Sequence, residues 1–205
     1  MKFKRILTMK TVIKSILCFA VLLLCACAPK PTFKGVDITG ADYANGFIFK
    51  DQSGQTRSIE SFKGQVVALF FGYTQCPDVC PTTMSEFAKI KTDMGESGSK
   101  LQVLFVSVDP ERDTPEVLGA YISNFDSSFL GFSPSSKELE QISKSFKIYY
   151  KKVASTSADP KIYTVDHSAG TYLFDTQGRI RLFMRYGMPA QELLEDIKSL
   201  LNEGA

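Results

Sequence analysis

Thirty residues, Gln65 to Met94, restrict what this chain can fold into more than any other stretch. Gln65-Val66-Val67-Ala68-Leu69-Phe70-Phe71 is a short apolar run rich in strand formers, set between Lys63-Gly64 and Gly72. It predicts a buried strand. From Thr82 to about Met94, the apolar residues Met84, Phe87, Ile90 and Met94 recur at three-to-four spacing, the stripe of an amphipathic helix. Pro81 suits that helix's first turn, where a missing N–H costs nothing. Cys76 and Cys80 therefore sit on a strand-to-helix loop, with Cys80 against the helix N-terminus. Unpaired N–H groups and the helix dipole there favour thiolate over thiol. A helical turn across Cys76–Cys80 would point both sulfurs the same way.

The rest of the chain supplies a matching frame. Leu101 to Val108 predicts a second buried strand, broken by Asp109-Pro110-Glu111-Arg112-Asp113-Thr114-Pro115. A helix from Glu116 to about Ser123 follows, with Thr114 as cap and Pro115 as its first residue. Ser136 to Phe146 has helical spacing through Leu139, Ile142 and Phe146. Thr171–Phe174 and Arg179–Phe183 flank a hairpin turn at Asp175-Thr176-Gln177-Gly178. A helix from Gln191 to Leu201 closes the chain, and an earlier hairpin pairs Gly46–Lys50 with Gln55–Ile59. Cysteines after the first core strand of such a series predict an α/β, thioredoxin-like fold. Its distinguishing features are an N-terminal β-hairpin and an inserted helical segment, roughly 125–165, before the final β-hairpin.

The cysteines also bear on location. Lys2, Lys4, Arg5, Lys10 and Lys14 precede an uncharged run, Ser15 to Pro29, in the order of a signal peptide. Fifteen residues fall short of the roughly 20 a membrane-spanning helix needs, although a short uncleaved anchor is the competing reading. Leu24-Cys25-Ala26-Cys27 resembles a bacterial lipoprotein signal, which implies cleavage after residue 26 and acylation of Cys27. Acyl chains bury methylenes in lipid at about 0.8 kcal/mol each. The expected organisation is a signal peptide at 1–26, a lipidated tether at 27–45 and a domain at 46–205. That domain would lie outside the bacterial cytoplasm, held to membrane lipid in an oxidising compartment. Beyond residue 26 the chain carries 19 basic against 22 acidic side chains, which argues against a nucleic-acid partner.

With Cys18 and Cys25 lost and Cys27 acylated, only Cys76 and Cys80 remain as thiols. A structural disulfide closing so small a loop would restrain little of the unfolded chain. His167, the one histidine, stands just before the strand at 171, beside the cysteine loop in a thioredoxin-like frame. A surface histidine paired with Asp166 is the plain alternative. Two thiolates and an imidazole form a soft, partly open set suited to Cu(I). A structural zinc site would want a fourth protein ligand. Met184 and Met188 are expected to pack rather than ligate. Tyr73, Pro77 and Val79 border the loop as docking residues, although Tyr73 is equally suited to the core.

Cys76-Pro77-Asp78-Val79-Cys80-Pro81, Asp109–Pro115 and Val165-Asp166-His167-Ser168 together resemble the Sco/SenC family. Its members are membrane-tethered, thioredoxin-like copper proteins that build the dinuclear copper centre of cytochrome c oxidase. The resemblance, which runs from about Gly46 to Leu201, implies copper ligation by Cys76, Cys80 and His167, in both Cu(I) and Cu(II) states. It implies that Asp166 orients His167 or approaches Cu(II). The implied partners are the copper-receiving oxidase subunit and a thiol reductant or copper donor. The usual family anchor is a transmembrane helix, from which the lipoprotein pattern departs. Two other functions use the same residues. As a thiol–disulfide oxidoreductase, Cys76 and Cys80 would be a redox pair keeping the recipient's cysteines reduced. A peroxidase fits least: the Pro-x-x-x-Thr-x-x-Cys pattern is missing, with Thr74 only two residues before Cys76.

Overall fold

The computed structural model describes residues 32–44, 47–156, 159 and 162–204. The expected signal peptide and Cys27 lie outside them. None of the described helices is long and apolar enough to cross a membrane.

The two apolar runs form the centre. β4 (Val66–Gly72) and β5 (Leu101–Ser107) pair in parallel, from Val66 opposite Leu101 to Gly72 opposite Ser107, and every residue of both is buried. Strands buried on both faces need continuous apolar sequence, as here. β6 (Leu130–Phe132) adds in parallel beyond β5. On the other side β9 (Thr171–Phe174), β10 (Ile180–Met184) and β1 (Val36–Asp37) add antiparallel in turn, giving the order β1-β10-β9-β4-β5-β6. The Asp175–Gly178 turn joins β9 to β10 as its residues predict, with Gly178 at φ +78°.

The parallel pairs are joined by helices: α1 (Val79–Asp93) between β4 and β5, α2 (Pro115–Ser123) between β5 and β6. α3 (Ser136–Phe146) and α4 (Ala190–Glu203) complete the layers. Thr114 caps α2, and Ser135 with Glu138 forms a capping box on α3. Phe70 and Phe105, opposite each other in register, share one sheet face; Tyr121 of α2 packs on Phe105. Phe71 points the other way, onto Phe146 of α3 and Tyr172. Each such side chain, taken fully out of water, stabilises the fold by about 1.5–3 kcal/mol. Met84 and Met184 are buried and Met188 packs against the core, as expected.

Three features differ from the sequence reading. α1 begins at Val79, three residues before Thr82, so Cys80 lies within its first turn. The segment 125–165 is more than helical: it holds β6, α3, β7 (Tyr150–Ala154) and the start of β8 (Tyr163–His167), and β7 and β8 form a separate antiparallel ribbon. The folded unit begins at Phe33, not at Gly46. Residues 33–44 belong to it: β1 pairs with β10, Ala44 is buried, and Asp196 accepts the N–H groups of Lys34 (3.0 Å) and Gly35 (2.7 Å). The hairpin of β2 (Ile48–Lys50) and β3 (Thr56–Ser58) forms as predicted, outside the main sheet.

Candidate metal centre

The carboxyl ends of β4 and β5 lie side by side, with Val108 N–H donating to Gly72 C=O at 2.8 Å. The two loops leaving that edge, 73–78 and 108–114, are therefore neighbours. Such an edge is where open α/β sheets place ligands.

The first loop turns at Tyr73, whose C=O accepts from Cys76 N–H at 3.2 Å, and runs into α1. The N–H groups of Asp78 and Cys80, at the helix start, favour the thiolate form of Cys76. Cys76 is half-buried and Cys80 fully buried, and both are free thiols. Gly72 makes the buried position possible: a Cβ there would lie 2.8 Å from Cys80 Sγ.

The two sulfurs share one proton unequally. The hydrogen bond from the Cys80 thiol lowers Cys76 most and burial opposes it, bringing Cys76 down to about 3. The same bond, and then burial, hold the proton on Cys80 and push it well above the ordinary thiol range. The helix-start effect predicted for Cys80 thus acts on Cys76.

His167 ends β8. Its Nε2 lies 3.5 Å from Cys80 Sγ, and its Nδ1 donates to the Ser168 carbonyl at 3.0 Å. With the proton fixed on Nδ1, the Nε2 lone pair faces the sulfurs. Tyr73 and Phe70 pack edge-on against the imidazole, 5.8 and 6.1 Å between centroids. The sulfurs of Cys76 and Cys80 and a nitrogen of His167 lie within 4.8 Å of one another, a grouping that can hold a metal ion.

Asp166 is not brought to the site. Side chains alternate along a strand, so Asp166 points to the opposite face from His167; it is exposed and lies in register with Lys151. The Ser168 carbonyl holds the orienting position that the resemblance gave to Asp166. Tyr73 is a core residue, 2% exposed, and Val79 is partly buried, which leaves Pro77 as the exposed member of that trio.

The second loop holds residues whose role the sequence did not disclose. Asp113, fully buried, accepts from Thr74 N–H (3.1 Å), Thr74 Oγ1 (2.6 Å) and Ser107 Oγ (2.6 Å). Burial pushes its carboxyl up against the lowering effect of those bonds. Arg112 pairs with Asp109 and donates from Nη1 to Gln75 Oε1 and to the Tyr163 carbonyl, both at 3.0 Å.

The SCO1/SenC family model matches residues 36–202. A SCO2-like protein of Rickettsia prowazekii is 33% identical over 153 residues, 75% of this chain and 74% of that protein. The structure of ScoI from Bradyrhizobium japonicum with copper bound is 36% identical and superposes with a TM-score of 0.67, covering 81% of this chain and 98% of that one. The apo Sco1 protein of Thermus thermophilus is 34% identical, with a TM-score of 0.68 over 84% of this chain and 99% of its own. A thioredoxin-like fold, a family match over most of the chain and these relatives agree: the chain belongs to the SCO1/SenC family.

Proposed function

We propose that this protein binds copper through Cys76, Cys80 and His167 and delivers it to the copper-receiving subunit of cytochrome c oxidase. The observation that carries this reading is the convergence of two sulfurs and a lone-pair-bearing Nε2 within 4.8 Å. Two thiolates and one imidazole suit Cu(I) and leave a side open, as a delivery site requires. The copper-bound ScoI relative supports the choice of metal. Loading displaces the proton held on Cys80 and gives a Cu(I) centre of net charge −1. Cu(II) accepts one further oxygen ligand. Copper then passes by ligand exchange to the recipient's cysteines, and a donor protein or thiol reductant resets the site.

The second reading, thiol–disulfide exchange, is favoured by the low Cys76 thiol. There the Cys76 thiolate attacks a partner disulfide and releases one partner thiolate. Cys80 then loses its proton and attacks Cys76 in the mixed disulfide, freeing the second partner thiolate as Cys76–Cys80 closes. The protein is held outside the cytoplasm by an acylated Cys27, and intact-mass measurement of the membrane-extracted chain should find it beginning at Cys27 with lipid attached. A chain beginning at Met1 contradicts that anchor. The copper reading itself is tested by anaerobic Cu(I) titration of the reduced protein against a competing chelator. One equivalent should bind. Cys76→Ser and Cys80→Ser should each weaken it by about tenfold or more, because losing a ligand costs at least what losing its orienting partner does. A wild type that does not compete for Cu(I) contradicts the reading.

A further inference from the structure

His167 is carried on an element that the main sheet does not hold. β8 pairs only with β7, so no strand register fixes His167 relative to the cysteine loop. Beyond the short link to β9 and the packing of Phe70 and Tyr73 on the imidazole, the spacing between Nε2 and the sulfurs is set by side chains that bridge the ribbon and the loop. Residues 109–113 supply most of them. Toward the cysteine loop, Asp113 takes both Thr74 donors and Arg112 takes Gln75. Toward the ribbon, Arg112 holds the Tyr163 carbonyl, and its guanidinium carbon lies 3.5 Å from the centre of the Tyr163 ring. Asp109 accepts from the Tyr163 hydroxyl at 2.7 Å, and Glu111 pairs with Lys152 at 2.6 Å. Tyr163 and His167 share one face of β8, so pinning the first aims the second.

We infer that Arg112 is a positioning residue: held by Asp109, it clamps the Tyr163 end of the His167 ribbon to Gln75 of the cysteine loop and so sets the Cys–His spacing on which three-ligand copper binding depends. The clamp needs a planar fork. One nitrogen serves Gln75 and the Tyr163 carbonyl, another serves Asp109, and the plane packs on an aromatic ring. A lysine offers one ammonium and no plane, so Arg112→Lys should not rescue the function. The other contacts of this loop, by Asp113 on Thr74, keep the cysteine side in place when Arg112 is changed.

The inference deepens the copper reading and rests on it, and its test separates the two. The chain has a single histidine, so the long-range nitrogen–proton NMR spectrum of the apo, reduced protein reports His167 alone. The wild type should show a fixed Nδ1–H tautomer. In Arg112→Lys the signals should move toward the averaged pair of a free imidazole. In the copper arm, Arg112→Lys should lose nitrogen hyperfine structure from the Cu(II) electron paramagnetic resonance spectrum. It should also bind Cu(I) about tenfold more weakly, the effect of one lost charge-assisted hydrogen bond. Gln75→Ala removes only the exposed, loop-side bond and guards against misfolding of the Arg112 variant. It should move the same signals in the same direction by less. If both variants, or Gln75→Ala where Arg112→Lys does not fold, keep the wild-type imidazole and Cu(II) spectra, the inference is overturned. A wild type that binds no copper overturns the copper reading, while the apo spectra still decide whether Arg112 sets the position of His167.

Discussion

At position 72 the sheet and the site compete for the same space. A Cβ would lie 2.7 Å from Phe70 Cε1, 2.8 Å from Cys80 Sγ and 3.0 Å from Phe105 Cζ. None of these neighbours is the free end of a flexible chain, so Gly72→Ala must displace the buried thiol or the strand. Overpacking of this kind costs about 1–3 kcal/mol. Thermal unfolding should show that loss together with weaker Cu(I) binding; wild-type values for both would mean the pocket yields. The unequal sharing of protons between the cysteines has a consequence at the same scale. Cys76 is depressed and enters the neutral range as thiolate, whereas Cys80 is raised and still holds its proton. Copper binding therefore releases one proton. Apparent Cu(I) affinity should rise about tenfold per pH unit across neutrality and should not fall. Calorimetry in buffers of different ionisation enthalpy counts that proton, and a count near zero or two contradicts the assignment.

At the scale of elements, legibility followed chemistry. β4, β5 and the four helices announced themselves because each buries an apolar run or stripe. β7 did not, because Tyr150–Ala154 lies almost wholly at the surface and has no apolar alternation to read. The arm 33–44 was invisible for a related reason. Its attachment is partly backbone N–H to carboxylate, which leaves no mark in side-chain pattern. That attachment predicts its own failure. Asp196, 2% exposed, receives the Lys34 and Gly35 N–H groups, so Asp196→Ala should cost about 1–3 kcal/mol. Limited proteolysis read by mass spectrometry should find earlier cleavage within 33–44; an unchanged digestion pattern would mean that β1 alone holds the arm.

Across the whole molecule, the candidate metal ligands were legible and their supports were not. Cys76 and Cys80 stand four residues apart on one predicted loop, and His167 is the single histidine, so few alternatives had to be weighed. Thr74 with Asp113, Asp109 with Tyr163 and Arg112 with Gln75 join residues 37–54 positions apart, and pairings of that kind become visible only in three dimensions. Asp166 shows the converse: its place beside His167 in sequence puts it on the wrong face of a strand. The proposed copper function requires three ligands, not two thiols alone. His167 is superfluous to disulfide exchange and is one of the three proposed copper ligands. The decisive measurement is therefore a paired one on reduced wild type and His167→Ala: copper affinity in both oxidation states against a chromophoric chelator, and exchange rate against a model disulfide. Copper affinity should fall by about tenfold or more, most for Cu(II), which favours nitrogen, while exchange stays near the wild-type rate. Unchanged binding of both copper states would contradict the three-ligand site and leave the cysteine pair as a thiol–disulfide reductant.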